Sequence, residues 1–196
     1  MNNPMQMHRV IAPNGRSIAE NFSAWFGASK IVDAHGQPLV VCHGTLNDFT
    51  QFQRGHGEDA SHGFMFAALS NVDGYLHSYL ESVKYQDERH ESRGDYFFMP
   101  VYLAIKNPKL IDTTKTGEWA CPAAENREIK RAKAEGYDGL ILVDQEQETT
   151  FYVAFRVEQM KSAIGNSGNY APFSCSLVDS PRPPELTQAP RRRNTP

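Results

Sequence analysis

The chain has 196 residues and a formal net charge of −3 at pH 7, with charges of both signs interspersed. That length suits one full domain with tails, and the charge balance excludes a global field that would recruit nucleic acid or an anionic membrane. Cys42, Cys121 and Cys175 are odd in number, far apart and without CxxC spacing, which argues against a disulfide framework or a cysteine zinc site and fits a reducing compartment. The opening MNNPMQMHRVIAPNGRS lacks an apolar signal-peptide core, and no uncharged run approaches a membrane span, so a soluble chain without an ordinary signal peptide is expected.

Residues 1–16 are polar and carry Pro4, Pro13 and Gly15, the composition of a flexible segment. Ser17 and Glu20 then stand at capping-box spacing, and Phe22, Trp25 and Phe26 fall on one face of a short predicted helix closed by Gly27. QPLVVCHG reads as a strand that ends abruptly in Cys42-His43-Gly44-Thr45, with Phe49 and Phe52 soon after. Ser70 and Asn71 are placed to cap a helix on which Tyr75, Leu76, Tyr79, Leu80 and Val83 share a side. A charged loop leads to FFMPVYLAIKNP, a β-rich run ended by Asn107-Pro108.

Pro122 suits a first helical turn, AAENREIKRAKAE favours helix, and Gly136 suits its C-terminal cap. DGLILVD and FYVAFRV follow as two compact strands. The order helix, strand, helix, strand, helix, strand, strand lacks regular βαβ alternation, so the expected class is α+β. Residues 171–196 are dense in proline and arginine and are expected to form a disordered, solubilising tail. The domain proper is expected over residues 17–170.

Other chemistries find little support. His56, Asp59 and His62 have loosely metal-like spacing but lack further ligands on a rigid element. No P-loop, strand-linked GxGxxG or GxSxG elbow occurs. Cys42 and His43 are neighbours on one strand and point to opposite faces, which excludes an easy nucleophile pair.

Five blocks, WFGASKIVDAHGQPLVVCHGT, GFMFA, VYLAIKNPKLID, AKAEGYDGLI and YVAFRVEQMKSAIGNSGNY, together resemble in order and spacing the ADP-ribosyltransferase domain of phage and plasmid polyvalent proteins. The resemblance covers about residues 18–170. The family lies in the diphtheria-toxin and poly-ADP-ribose-polymerase-like branch, marked by a His-Tyr-Glu triad. It implies a split β-sandwich with short peripheral helices and NAD, as substrate, in the cleft between two small sheets.

The resemblance also implies roles. His43 would hydrogen-bond a ribose hydroxyl, Gly44 would let the backbone approach the nicotinamide carboxamide, and Thr45 would add a hydroxyl. Met65 stands at the triad tyrosine's position between Phe64 and Phe66, and Tyr75 is the preferred ring to stack on nicotinamide, with Tyr79 the alternative. Phe151 stands where the glutamate is usual, so Glu148, three residues earlier, is the candidate carboxylate, with Glu146 beside it. Superfamily members without that glutamate include mono-transferases thought to borrow a substrate carboxylate.

The implied activity is NAD-dependent mono-ADP-ribosyl transfer to a host macromolecule, protein or nucleic acid, in a bacterial cytoplasm. NAD hydrolysis and non-catalytic binding of NAD or a partner are the alternatives. No metal is implied. Lys161, at a strand exit, reads as a surface lysine rather than as a phosphate ligand.

Overall fold

The computed structural model describes residues 10–45, 49–53, 63–72, 97–114, 122–146 and 148–179. Its elements are α1 (Ile18–Phe26), β1 (Val41–Thr45), β2 (Phe64–Ala67), β3 (Phe97–Leu103), β4 (Pro108–Asp112), α2 (Pro122–Ala134), β5 (Gly139–Asp144), β6 (Thr149–Ala154) and β7 (Met160–Ser162). The strands form one mixed sheet in the order β4-β5-β6-β2-β1-β3-β7, and with its helices this is an α+β domain.

Local chemistry sets the helix ends. Ser17 Oγ accepts from the Glu20 amide at 3.2 Å while the Ser17 amide donates to Glu20 Oε2 at 3.2 Å, so the capping box forms as its spacing predicts. At the other end of the chain order, α2 closes in a Schellman motif: Tyr137 N–H donates to Ala132 O at 3.0 Å and Gly136 N–H to Lys133 O at 3.2 Å. Residues 69–72 form a helical turn in which the Asn71 and Val72 amides donate to Ala68 O at 3.0 and 3.1 Å, so Ser70 and Asn71 lie within the turn and not at its cap. Tyr75 and Tyr79 lie outside the described residues, as do His56, Asp59 and His62.

Three strands escape the element pattern: β2, marked only by the GFMFA block, β4 and β7. Asn107-Pro108 reads as a terminator, yet Pro108 opens β4, an edge strand, where a missing amide costs no ladder bond. β4 lies parallel to β5, with α2 as the crossover, so one βαβ unit sits in an otherwise antiparallel sheet. The short β7 pairs with β3 at the opposite edge.

Directly opposed residues share a face, so the register sorts the side chains. One face carries Val41, His43, Phe66, Val101, Leu103 and Ala154, packed beneath Ile31, Phe52 and Leu177 from irregular segments. The other face is covered by helices at its two ends. Trp25 and Phe26 of α1 join Tyr102 and Tyr170 at one end, and Ile129 and Ala132 of α2 cover Leu140, Leu142 and Val153 at the other. Between them lies a smaller patch of Cys42, Ala67, Val72, Phe98 and Phe151.

The packed chain extends beyond the expected boundaries of 17 and 170. Ala12 is buried, Ile11 bridges Ser17, and Leu177 is buried with its amide donating to Thr50 O at 2.9 Å. Lys161 corrects the surface reading outright. It is 0 % exposed and ion-paired to Asp179 at 2.8 Å, because its strand exit is overlaid by residues 174–179.

Gln159 is buried just before β7. Its Oε1 accepts from Phe155 N and Arg156 N, and its Nε2 donates to Asp138 O at 2.8 Å. The Asp138 carboxylate accepts from the Lys106 and Asn107 amides, fixing the start of β4 beside β5. Gly139 follows, where an added Cβ would stand 2.6 Å from Ile105 Cγ2 and 2.8 Å from Val153 O. Gly139→Ala is therefore expected to lower stability by ~1–3 kcal/mol through overpacking, measured as a lower Tm with a native far-ultraviolet spectrum.

Candidate functional site

The sheet is weakest as a backbone ladder between β1 and β2. Cys42 opposite Ala67 is the one registered pair joining them among the described residues, whereas β1 and β3 register at five positions from Val41 to Thr45. Beyond Cys42 a side chain takes over. His43 Nδ1 lies 2.9 Å from the Met65 carbonyl oxygen.

That bond assigns the tautomer. A carbonyl can only accept, so Nδ1 carries the proton, and in a neutral ring Nε2 is then an acceptor. No described residue engages Nε2. The ring is packed edge-on against Phe52, with centroids 4.9 Å apart, and against Phe66 at 5.5 Å. Phe49 and Phe64 complete the aromatic wall through Phe52. Burial lowers the His43 pKa, and the carbonyl bond only partly offsets it, so the ring is neutral at pH 7.

A cavity of 280 Å³ opens beside the gap, lined by His43, Gly44, Phe64, Met65, Val72 and Phe151 among others. Gly63 also lines it, where a Cβ would overlap Val153 Cγ1. Among the described residues, the lining holds no carboxylate and no cation. A second hollow at His43 is walled by Phe49, Gln51, Phe52, Gln53 and Phe64. His43 and Phe64 belong to both. A larger groove of 580 Å³ lies elsewhere, between Trp25, Lys106, Arg156 and Phe173, and contains none of the residues that the resemblance singles out. Convergent geometry, not volume, places the candidate site at His43.

The expected site residues divide clearly. His43, Gly44, Phe64 and Met65 meet at one cavity. Thr45 ends β1 opposite Phe97 and does not line it. Glu146 and Glu148 are exposed in the β5–β6 turn and do not line it either; Glu148 has a left-handed backbone, φ 51°. Glu148 precedes Phe151 by three residues, roughly 10 Å along extended chain. Phe151 is the residue of that strand that forms the cavity wall. Cys42 packs with Ala67 and Phe98 on the opposite face from His43, and burial raises its thiol pKa, which keeps it an unreactive core group.

The motifs mark Phe49 and Phe52 just after β1 but do not single out Gly63 or Val72. Their contribution is steric, and only the fold of 63–72 around His43 reveals it. The GFMFA block did carry a signal for Gly63, since a glycine entering a strand often marks close backbone approach.

The chain is thus an α+β domain whose sheet parts, at mid-sheet, around a histidine and an apolar cavity. Residues 33–170 match the family described as ADP-Ribosyltransferase in polyvalent proteins, and the chain belongs to that family. No curated protein and no solved structure matches it. Among the described residues no helix is long and apolar enough to cross a membrane, and no group of three or more His, Cys, Asp or Glu is placed to hold a metal.

The half-buried ring makes stability pH-dependent. Because the folded pKa of His43 lies below its unfolded value near 6.5, the unfolded chain binds more protons in that window. Stability is expected to rise with pH from the folded pKa up to about 6.5 and to lose this contribution on acidification. Urea midpoints measured across that range should show the slope, and His43→Gln should flatten it. Imidazole nitrogen spectra at pH 7 should show the Nδ1–H tautomer.

Proposed function

We propose that this chain is an NAD-dependent mono-ADP-ribosyltransferase that works at the β1–β2 gap. The observation that carries the reading is the neutral His43, tied down at Nδ1 and left with an accepting Nε2 beside an apolar cavity. A ribose hydroxyl donates to Nε2, and the fixed tautomer makes that acceptor available without reorganisation. Gly44, lacking a Cβ, lets the main chain approach the carboxamide, while Phe64 and Met65 wall the nicotinamide ring. Tyr75 is the ring that stacks on nicotinamide.

The reaction breaks the bond between the ribose anomeric carbon and the nicotinamide nitrogen, and the electron pair leaves with nicotinamide. The acceptor nucleophile then bonds to the anomeric carbon and gives up its proton. Developing positive charge on the ribose calls for a carboxylate. The described cavity wall offers Phe151 instead, so the carboxylate comes either from Glu148, with the β5–β6 turn swung inward, or from the acceptor itself. Phe151 in place of a glutamate on that wall favours single transfer over polymer growth. The acceptor is a host macromolecule, protein or nucleic acid, and the setting is a bacterial cytoplasm reached with a phage or plasmid.

The apolar Met65 and Phe151 favour a second reading, in which the cleft binds NAD without turning it over. Labelled NAD incubated with the protein and a bacterial lysate separates the cases. Labelled macromolecule with nicotinamide release supports transfer, free ADP-ribose alone indicates hydrolysis, and binding without release indicates the non-catalytic form. For transfer, His43→Ala is expected to reduce kcat/KM by about 10–100-fold, the loss of one buried hydrogen bond to substrate worth ~1–3 kcal/mol. No labelled product and no nicotinamide from the wild-type chain would overturn the transferase reading.

A further inference from the structure

Lys161 is the chemically anomalous residue outside the His43 cavity. It stands on edge strand β7, opposite Tyr102, and is 0 % exposed. All three ammonium protons are accepted: by Ser174 O at 2.9 Å, Ser176 O at 2.9 Å and Asp179 Oδ1 at 2.8 Å. Asp179, in turn, is held by the Asn166 side chain at 3.2 Å and the Ala171 amide at 3.0 Å through its other oxygen. Asp179 has φ 48°, a left-handed conformation that aspartate and asparagine tolerate better than most residues.

Net stability does not account for such an arrangement. Removing two charges from water is costly, and a well-packed apolar pair in the same volume is often as stable. What three acceptors converging on one ammonium do provide is a single position for a segment with no regular secondary structure. Residues 174–179 are that segment.

Its contacts lead to the site. Leu177 N–H donates to Thr50 O at 2.9 Å, and Ser176 bridges Gln51. The Leu177 side chain, 2 % exposed, lies in the same apolar cluster as Phe52. Phe52 is the closest ring to His43, at 4.9 Å, and Phe49 packs on Phe52 at 4.8 Å. The backbone of 49–53 has no strand of its own beyond the Gln51 bridge.

We propose that Lys161 is a positioning residue for His43: ion-paired to Asp179, it seats residues 174–179 on Thr50 and Gln51 and so keeps Phe52 and Phe49 against the histidine ring. The functional consequence rests on the reading of His43 as the ribose clamp; the mechanical link does not. Loss of the pair frees the strap, loosens the aromatic wall and lets water reach the imidazole. A merely structural role for Lys161 would lower stability without changing the surroundings of His43.

The full chain carrying Lys161→Met with Asp179→Asn tests this, since both charges are removed together and asparagine suits the left-handed backbone. Three quantities are compared with wild type: exchange protection of the Leu177 amide, the titration midpoint of the His43 ring by imidazole NMR, and the KM for NAD. Protection is expected to fall at least tenfold, the midpoint to move up toward 6.5, and KM to rise several-fold. Asn21→Ala, which removes a buried bond to Gly168 O on the α1 side, serves as a destabilised control and is expected to leave the His43 midpoint in place.

An unmoved midpoint in the double variant, or an unchanged Leu177 amide, overturns the proposal. Leu177→Ala, which keeps both charges but weakens the strap, decides the same question if the double variant does not fold: a raised midpoint supports the link and an unmoved one overturns it. If wild type fails to bind NAD, the transferase reading falls while the exchange and titration results still decide the link.

Discussion

The hydrogen bond from His43 Nδ1 to the Met65 carbonyl joins the two halves of the sheet where registered backbone pairing between them has run out. A ladder of main-chain bonds along β1 and β2 would have closed the sheet and left no opening. A side-chain bond at that point spans the gap while leaving it accessible, and it fixes which imidazole nitrogen carries the proton. The aromatic rings around the histidine then matter twice. They exclude water, which keeps the ring neutral, and they hold the plane in which Nε2 is presented.

The coverings of the sheet explain why the opening lies in the middle. α1 and α2 bury the two ends of one face, and the strip between them is narrow and apolar, from Cys42 and Ala67 to Phe151. The opposite face has no helix over His43. It is covered by irregular segments, 49–53 and 174–179, which require specific anchors to hold one arrangement, since coil lacks the internal bonds of a helix. The buried Lys161–Asp179 pair and the Asn166 contacts are such anchors.

Much of the fold was legible where the responsible chemistry is local. Ser17 and Glu20 announce a capping box, Gly136 a helix stop, and the aromatic spacing in α1 a buried stripe, because each depends on residues within one or two turns. β4 was hidden because a proline at an edge resembles a terminator until its neighbour is known. Lys161 was hidden for a related reason. A lysine is buried only when its counter-charge arrives, and Asp179 is 18 residues away in sequence. The abrupt end of β1 in His43-Gly44 was visible as an anomaly, but the Met65 carbonyl that gives the histidine its tautomer lies across the sheet.

From the sequence alone, the family blocks, the α+β class and the candidate residues His43, Gly44, Phe64 and Met65 could all be named, since motif order and short-range periodicity are properties of the chain. The tertiary structure decided which of those residues share a cavity, that Phe151 walls it while Glu148 stays at an exposed turn, and that Lys161 is buried against a carboxylate distant in sequence. The reason is physical. Neutrality of an imidazole, exposure of a carboxylate and burial of an ammonium are set by surroundings assembled from remote segments, and those surroundings exist only once the chain has folded.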